Sequence, residues 1–294
     1  MNWGVLMRNY LFLMYRGGSL MYKSITYLCG CLLVLSGCSQ PTFTKDASVD
    51  QVFCINLPIS DFSSYPAAYT PAQCLAKENK DPKVIARVDE ESRRIWREIH
   101  AKMNLTTPYI PMFVYGSLMN PASARNTLEE YHPYAVWLRD YVRIFNLDVD
   151  CVGGTTRLTE ADGPKNRGFL NLKRMPGKSC NGIVLGIGED DFVSCRRREG
   201  VYEFVPVVVS DYRPTGKCNR SIAFAWIAGP QVCSSDVLPV KGYYSMIWAA
   251  VESDNVKKNF GENFAQDYLD TTFLSNEQSI KTIHEEYKDA PLRY

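Results

Sequence analysis

The stretch PMFVYGSLMNPASARNTLEE, residues 111–130, runs from apolar residues into a Gly-Ser pair and then straight into a helix start. Met112, Phe113, Val114 and Tyr115 suit a buried strand, and Gly116 permits backbone angles and close approaches that a side chain forbids. Asn120 is a good N-cap and Pro121 occupies the first-turn position where a missing N–H loses nothing, so a helix is predicted over 121–130. Strand, tight loop and helix start leave backbone N–H groups pointing at whatever lies above the loop, which makes a small anion or oxyanion pocket. A P-loop is excluded because no GKS or GKT follows, but an ordinary βα turn reads equally well from these residues alone.

Outward from this stretch, short strands are predicted at 141–148, 168–173, 182–188, 202–210 and 221–227, beside the one at 111–115. Helices are predicted at 189–197, 242–253 and 259–270 as well as 121–130. The elements alternate without the beat of a doubly wound fold and without an internal repeat. An α+β domain with a mixed-strand, curved or barrel-like sheet flanked by helices follows. Ahead of it, PKVIARVDEESRRIWREIHAKM (82–103) places Ile85, Val88, Ile95, Ile99 and Met103 near one face, the pattern of an amphipathic helix packed on the domain that follows. The chain divides into 1–38, a signal segment with Met21 as an alternative start; 39–81, a tether and irregular lead-in; 82–109, helix and linker; 110–275, the main domain; and 276–294, a C-terminal tail.

At 294 residues, 46% hydrophobic and 22% charged, with a net charge of +1, the composition is globular and lacks the basic footprint of a nucleic-acid binder. Near the N-terminus, Lys23 precedes an apolar run from Ile25 to Leu35 and then Leu35-Ser36-Gly37-Cys38. A positive start, a short apolar stretch and small residues at the cut describe a secretory signal, and the ending resembles a bacterial lipobox. That resemblance implies lipidation at Cys38 and a mature chain held by its lipid on the periplasmic side of the envelope membrane. Seven cysteines follow Cys38, an odd number, and secretion favours their pairing; Cys54 with Cys74 is the expected short loop. No two are spaced as CxxC, and the three histidines lie far apart, so neither a metal site nor a cofactor is expected.

A second constellation is DFVSCRRREGVYEFVPVVV (191–209), where a helix ends in three arginines, then Glu199, Gly200 and a strand from Tyr202. A carboxylate at such a corner is aimed either into the domain or at the neighbouring arginines in solvent. FVYGSLMNP, VRIFN, NGIVLGI, RREGVYEFVPV and GYYSMIWAAVE follow one another in order, and with them the chain resembles the gamma-glutamylcyclotransferase-like family over roughly Met112 to Thr272. The family commonly has a Leu-Asp pair ahead of the glutamate where this chain has Arg196-Arg197-Arg198. The resemblance implies a mixed β-barrel with flanking helices, Glu199 as the catalytic proton shuttle, and Tyr115, Gly116, Ser117, Leu118 and Tyr202 around a small γ-glutamyl substrate. The implied reaction is intramolecular: the substrate's α-amine attacks its γ-carbonyl, closing 5-oxoproline and expelling an amine or peptide. Such a site must supply a folded-back substrate, an acid-base group and oxyanion donors. Fragments of glutathione or of peptidoglycan are candidate substrates. A non-catalytic envelope lipoprotein that keeps the barrel as a binding or structural module, and acyl transfer to an external amine in the same pocket, are the competing readings.

Overall fold

The computed structural model describes residues 65–71, 81–148, 163–213 and 220–291; the lipidation position Cys38 and the expected Cys54–Cys74 pair lie outside them. Among the described residues there are seven strands: β1 (Ile110–Val114), β2 (Tyr134–Asp148), β3 (Asn166–Ile187), β4 (Tyr202–Asp211), β5 (Ser221–Ala228), β6 (Leu238–Pro239) and β7 (Thr272–Leu274). Hydrogen-bonded neighbours run β6-β3-β1-β5-β4-β2-β7, and β2 also pairs with β3. That extra pairing closes β3, β1, β5, β4 and β2 into a barrel. The sheet is mixed: β1 lies parallel to β5, while β1–β3, β2–β3, β2–β4 and β4–β5 are antiparallel. All five residues of β1 are buried, the pattern of a strand covered on both faces.

The helices among the described residues are α1 (Pro82–Lys102), α2 (Pro121–Ala124), α3 (Glu189–Arg198), α4 (Lys241–Val251), α5 (Asp254–Phe260), α6 (Phe264–Asp270) and α7 (Lys281–Tyr287). Helix α1 buries Val88, Ser92, Ile95, Trp96 and Ile99, and the Trp96 indole donates to the Ile187 carbonyl at 2.9 Å. It is packed on the barrel as its apolar face requires. The lead-in also docks: Tyr69 exchanges backbone hydrogen bonds with Phe204 at 2.9 and 3.1 Å. Among the described residues no helix is long and apolar enough to cross a membrane.

Three sequence expectations are corrected. Predicted strands 168–173 and 182–188 are halves of one strand, β3, because the polar run between them stays extended opposite a bulge. At that bulge the Asp140 carboxylate accepts the Gly177 N–H at 2.8 Å, a local bond that holds the segment without a turn. The helix predicted over 121–130 stops at Ala124, and the one predicted over 259–270 is two helices broken at Gly261, whose φ is +110°. Within the C-terminal segment 276–294 lies α7.

Candidate active site

β1 delivers Tyr115 and Gly116 to the barrel's end, where Ser117–Met119 form a single 3-10 turn and Asn120 caps α2. The Asn120 side chain accepts the Ala122 and Ser123 N–H groups at 2.9 and 3.3 Å. Within the turn, Met119 N–H donates to Gly116 and Asn120 N–H to Ser117. Among the described residues no backbone carbonyl takes the N–H of Gly116, Ser117 or Leu118. None of the three is engaged by the backbone of the described residues; the Ser117 amide is instead hydrogen-bonded to the Tyr243 phenol oxygen. Gly116 has φ −128°, so its absent side chain matters for space rather than for handedness: a Cβ there would stand 3.0 Å from the Tyr243 phenol oxygen.

Glu199 arrives from the opposite side. Helix α3 opens with Glu189, Asp190 and Asp191 and closes with Arg196, Arg197 and Arg198, matching the helix dipole at both ends. Glu199 caps it, its N–H donating to Cys195 at 2.7 Å and its carbonyl accepting the Tyr202 N–H at 2.9 Å. The turn brings the carboxylate into a cavity of about 40 Å³ bordered by Tyr115, Gly116, Ser117, Leu118, Glu199, Tyr202 and Tyr243. All six site residues predicted within the barrel domain thus share one cavity. Glu199 is also paired: its carboxylate lies 3.2 Å from Arg198 Nε, with 17% of its side chain exposed. The two fates open to this residue in sequence, facing the pocket and pairing with arginine, are both realised.

Phenols line the rest. Tyr115 donates to the Trp226 carbonyl at 2.5 Å and Tyr202 to the Leu170 carbonyl at 3.0 Å. Burial pushes both hydroxyls well above their ordinary range, with neighbouring tyrosines and Glu199 adding to it. Tyr243, at the start of α4, is raised by burial too, and the Ser117 amide faces its oxygen. Sequence reasoning missed Tyr243. Its signal was the Tyr-Tyr pair in GYYSMIWAAVE, quoted for the resemblance but not assigned to the pocket.

Supporting contacts hold the loop. Tyr268 donates to the Tyr115 carbonyl at 2.8 Å, and Arg143, fully buried, stacks 3.6 Å from the Tyr268 ring centroid. The Arg143 guanidinium donates to Thr272 Oγ1, Asn181 Oδ1 and the Tyr268 carbonyl, each at 2.9 Å. A buried cation is kept by saturating its donors. Cys180 and Cys195 are buried free thiols, and burial raises Cys180 to about 11; inert packing suits both. Among the described residues no group of three His, Cys, Asp or Glu could hold a metal.

No protein-family model matches the chain, and no curated protein does. Solved structures align with it in part. An uncharacterised human protein is 15% identical over 55% of this chain and 87% of its own, with a TM-score of 0.42. A gamma-glutamyl cyclotransferase is 15% identical over 54% and 85%, at 0.41. A yeast gamma-glutamyl cyclotransferase specific to glutathione is 12% identical over 62% and 96%, at 0.34.

Proposed function

We propose that the protein is a gamma-glutamyl cyclotransferase-type enzyme, held at the cell envelope by a lipidated Cys38, that releases 5-oxoproline from γ-glutamyl peptides or amines. The observation that carries this reading is the meeting of one carboxylate, Glu199, with the backbone amides of the Gly116–Leu118 loop in one cavity. The loop amides hold substrate oxygens and the developing oxyanion. Glu199 takes a proton from the α-ammonium; the freed amine attacks the γ-carbonyl, closing the five-membered ring. As the tetrahedral intermediate collapses, the bond to the leaving nitrogen breaks and Glu199 returns the proton to it, while the ring nitrogen sheds its second proton, which ends on the released amine as its ammonium. The nucleophile belongs to the substrate, so neither a serine nor a cysteine is required.

Among the cavity's lining residues Glu199 alone bears a formal charge, which suits an ammonium group near it and an anionic group on the amides. As it stands the cavity has room for a few waters only, and the Tyr243 phenol rests against the loop. Substrate entry displaces that side chain.

The test is to incubate the protein with a panel of γ-glutamyl peptides and amines and to follow 5-oxoproline by mass spectrometry. Glu199→Gln keeps shape and polarity; we expect kcat to fall roughly 10²- to 10⁴-fold with a much smaller change in KM. Near-normal turnover in that variant removes Glu199 from the mechanism. If the wild type cyclises nothing, the non-catalytic binding module becomes the better reading.

A further inference from the structure

We propose that Arg198 is the positioning residue of this site: one guanidinium ties the Glu199 carboxylate to the segment that follows the loop, and so sets where the acid-base group stands relative to the amides. The inference rests on the reading of Glu199 as proton shuttle. From its place in sequence Arg198 is one of three arginines at a helix end, a usual surface complement to the dipole. The structure separates the three. Arg197 turns outward to pair with Asp89, and Arg196 is buried, donating to the Thr70 carbonyl at 3.1 Å. Arg198 turns into the site.

Its contacts are divided between two elements. Nη1 donates to the Ser123 carbonyl at 3.1 Å and to Thr127 Oγ1 at 2.9 Å. Nη2 donates to Ser117 Oγ at 2.8 Å and to Ser123 Oγ at 3.0 Å. The remaining nitrogen, Nε, faces Glu199 Oε1 at 3.2 Å. A guanidinium is a planar fork with five N–H donors in fixed directions. With both terminal nitrogens seated on hydroxyls and a carbonyl of residues 117–127, the position of the Nε edge follows, and with it that of the carboxylate. The same saturation rules out another role: the outer face of the fork is occupied by protein oxygens, so Arg198 is not the cation that receives a substrate carboxylate. Ser117 thereby acquires a second task, its hydroxyl serving the arginine while its amide faces the pocket. Lysine cannot reproduce this, since a point charge on a flexible stem has no fork to lock.

A double-substitution cycle tests the idea by comparing kcat and KM for wild type, Arg198→Gln, Glu199→Gln and the double variant. We expect Arg198→Gln to lower kcat about 10- to 100-fold, the size of effect that a displacement of about 1 Å produces, with KM altered less. Arg198→Lys should restore only part of it. In the Glu199→Gln background Arg198→Gln should cost nothing further, because its effect passes through the lost carboxylate. Additive losses, or full activity in Arg198→Gln, overturn the proposal. If Arg198→Gln does not fold, the pair Ser123→Ala with Thr127→Ala removes two anchors while leaving the charge beside Glu199, and should reduce kcat in the same sense; unchanged kcat overturns it.

A wild type that cyclises nothing defeats the functional reading, and the positioning contact is then read without activity. In a ¹³C NMR titration of the Glu199 carboxyl, Arg198→Gln should move the midpoint to higher pH, because an adjacent cation favours the carboxylate. Among the described residues, Tyr115 just after β1, Tyr202 of β4, Tyr243 of α4 and Cys195 of α3 act on the same carboxylate, each raised by burial and so neutral over the range read. An unmoved midpoint refutes the contact.

Discussion

Gly116 is placed by the room it leaves rather than by its backbone freedom. Its φ is one that any residue adopts, yet a Cβ would reach to 3.0 Å of the Tyr243 oxygen. A larger side chain therefore fills the space that a ligand needs. We expect Gly116→Val to weaken binding of a γ-glutamyl ligand roughly 10- to 100-fold, in line with the cost of overpacking a closed site, while the melting temperature shifts little. Calorimetric titration beside a thermal melt separates the two effects, and unaltered affinity would show that the ligand lies elsewhere. This is the reverse of the pattern expected for Glu199→Gln, where binding survives and turnover does not. Gly182 is a glycine of another kind: a Cβ there would meet the Phe113 ring at 2.6 Å and the Val114 carbonyl at 2.7 Å, so it allows β1 and β3 to pack face to ring.

At the scale of elements, α4 carries Tyr243 toward the pocket and is held from behind by α7. Tyr244 and His284 Nδ1 lie 2.6 Å apart in a buried contact, and the His284 ring meets the Trp248 ring edge to face at 4.5 Å. Burial holds His284 below its ordinary value of 6.5, against a smaller opposing pull from Glu285. The unfolded chain therefore binds a proton at this position more readily than the folded one, and stability falls as pH drops below about 6.5. In urea titrations from pH 7.5 to pH 5 the wild type should lose more stability than His284→Gln does. Equal losses would mean that other groups set the acid sensitivity. The expected consequence for the site is that acid loosens α7 from α4 before it touches the barrel.

For the whole molecule, the barrel is not self-sufficient. Helix α1 precedes it in sequence, but Trp96 and Ile99 belong to the same core as Phe192 and Phe204, and Arg93 and Arg97 pair with residues of α3 at 2.7 Å. Those exposed pairs contribute little; the burial is what holds. Trp96→Ala, which also strips the Ile187 carbonyl of its donor, should cost about 3–5 kcal/mol in urea unfolding, and a loss under about 1 kcal/mol would show that α1 is merely appended. The proposed lipid anchor, Cys38, lies further toward the N-terminus than α1. Cys38→Ser should shift the protein from membrane to soluble fractions and change its N-terminal mass; a variant that still sediments with membranes would remove the lipid anchor from the proposal.

What could be read from residues alone is what depends on local chemistry. The Gly-Ser break, the Asn120 cap with Pro121 behind it, the dipole-matched ends of α3 and the apolar face of α1 all act within a turn or two, and each stands in the structure. That Tyr115 to Leu118 and the Glu199–Tyr202 corner belong to one pocket was implied only by the resemblance, since each motif alone read equally well as an ordinary turn or an exposed carboxylate. Tertiary structure decided what depends on closure. The β2–β3 register makes one long strand of two predicted halves, and bond by bond it turns a sheet into a barrel. That closure sets Tyr243, 127 residues beyond Gly116 in the chain, against the loop, and leaves Arg198 rather than Arg197 facing inward. No local propensity separates three consecutive arginines; only the partners that the fold brings to each one do.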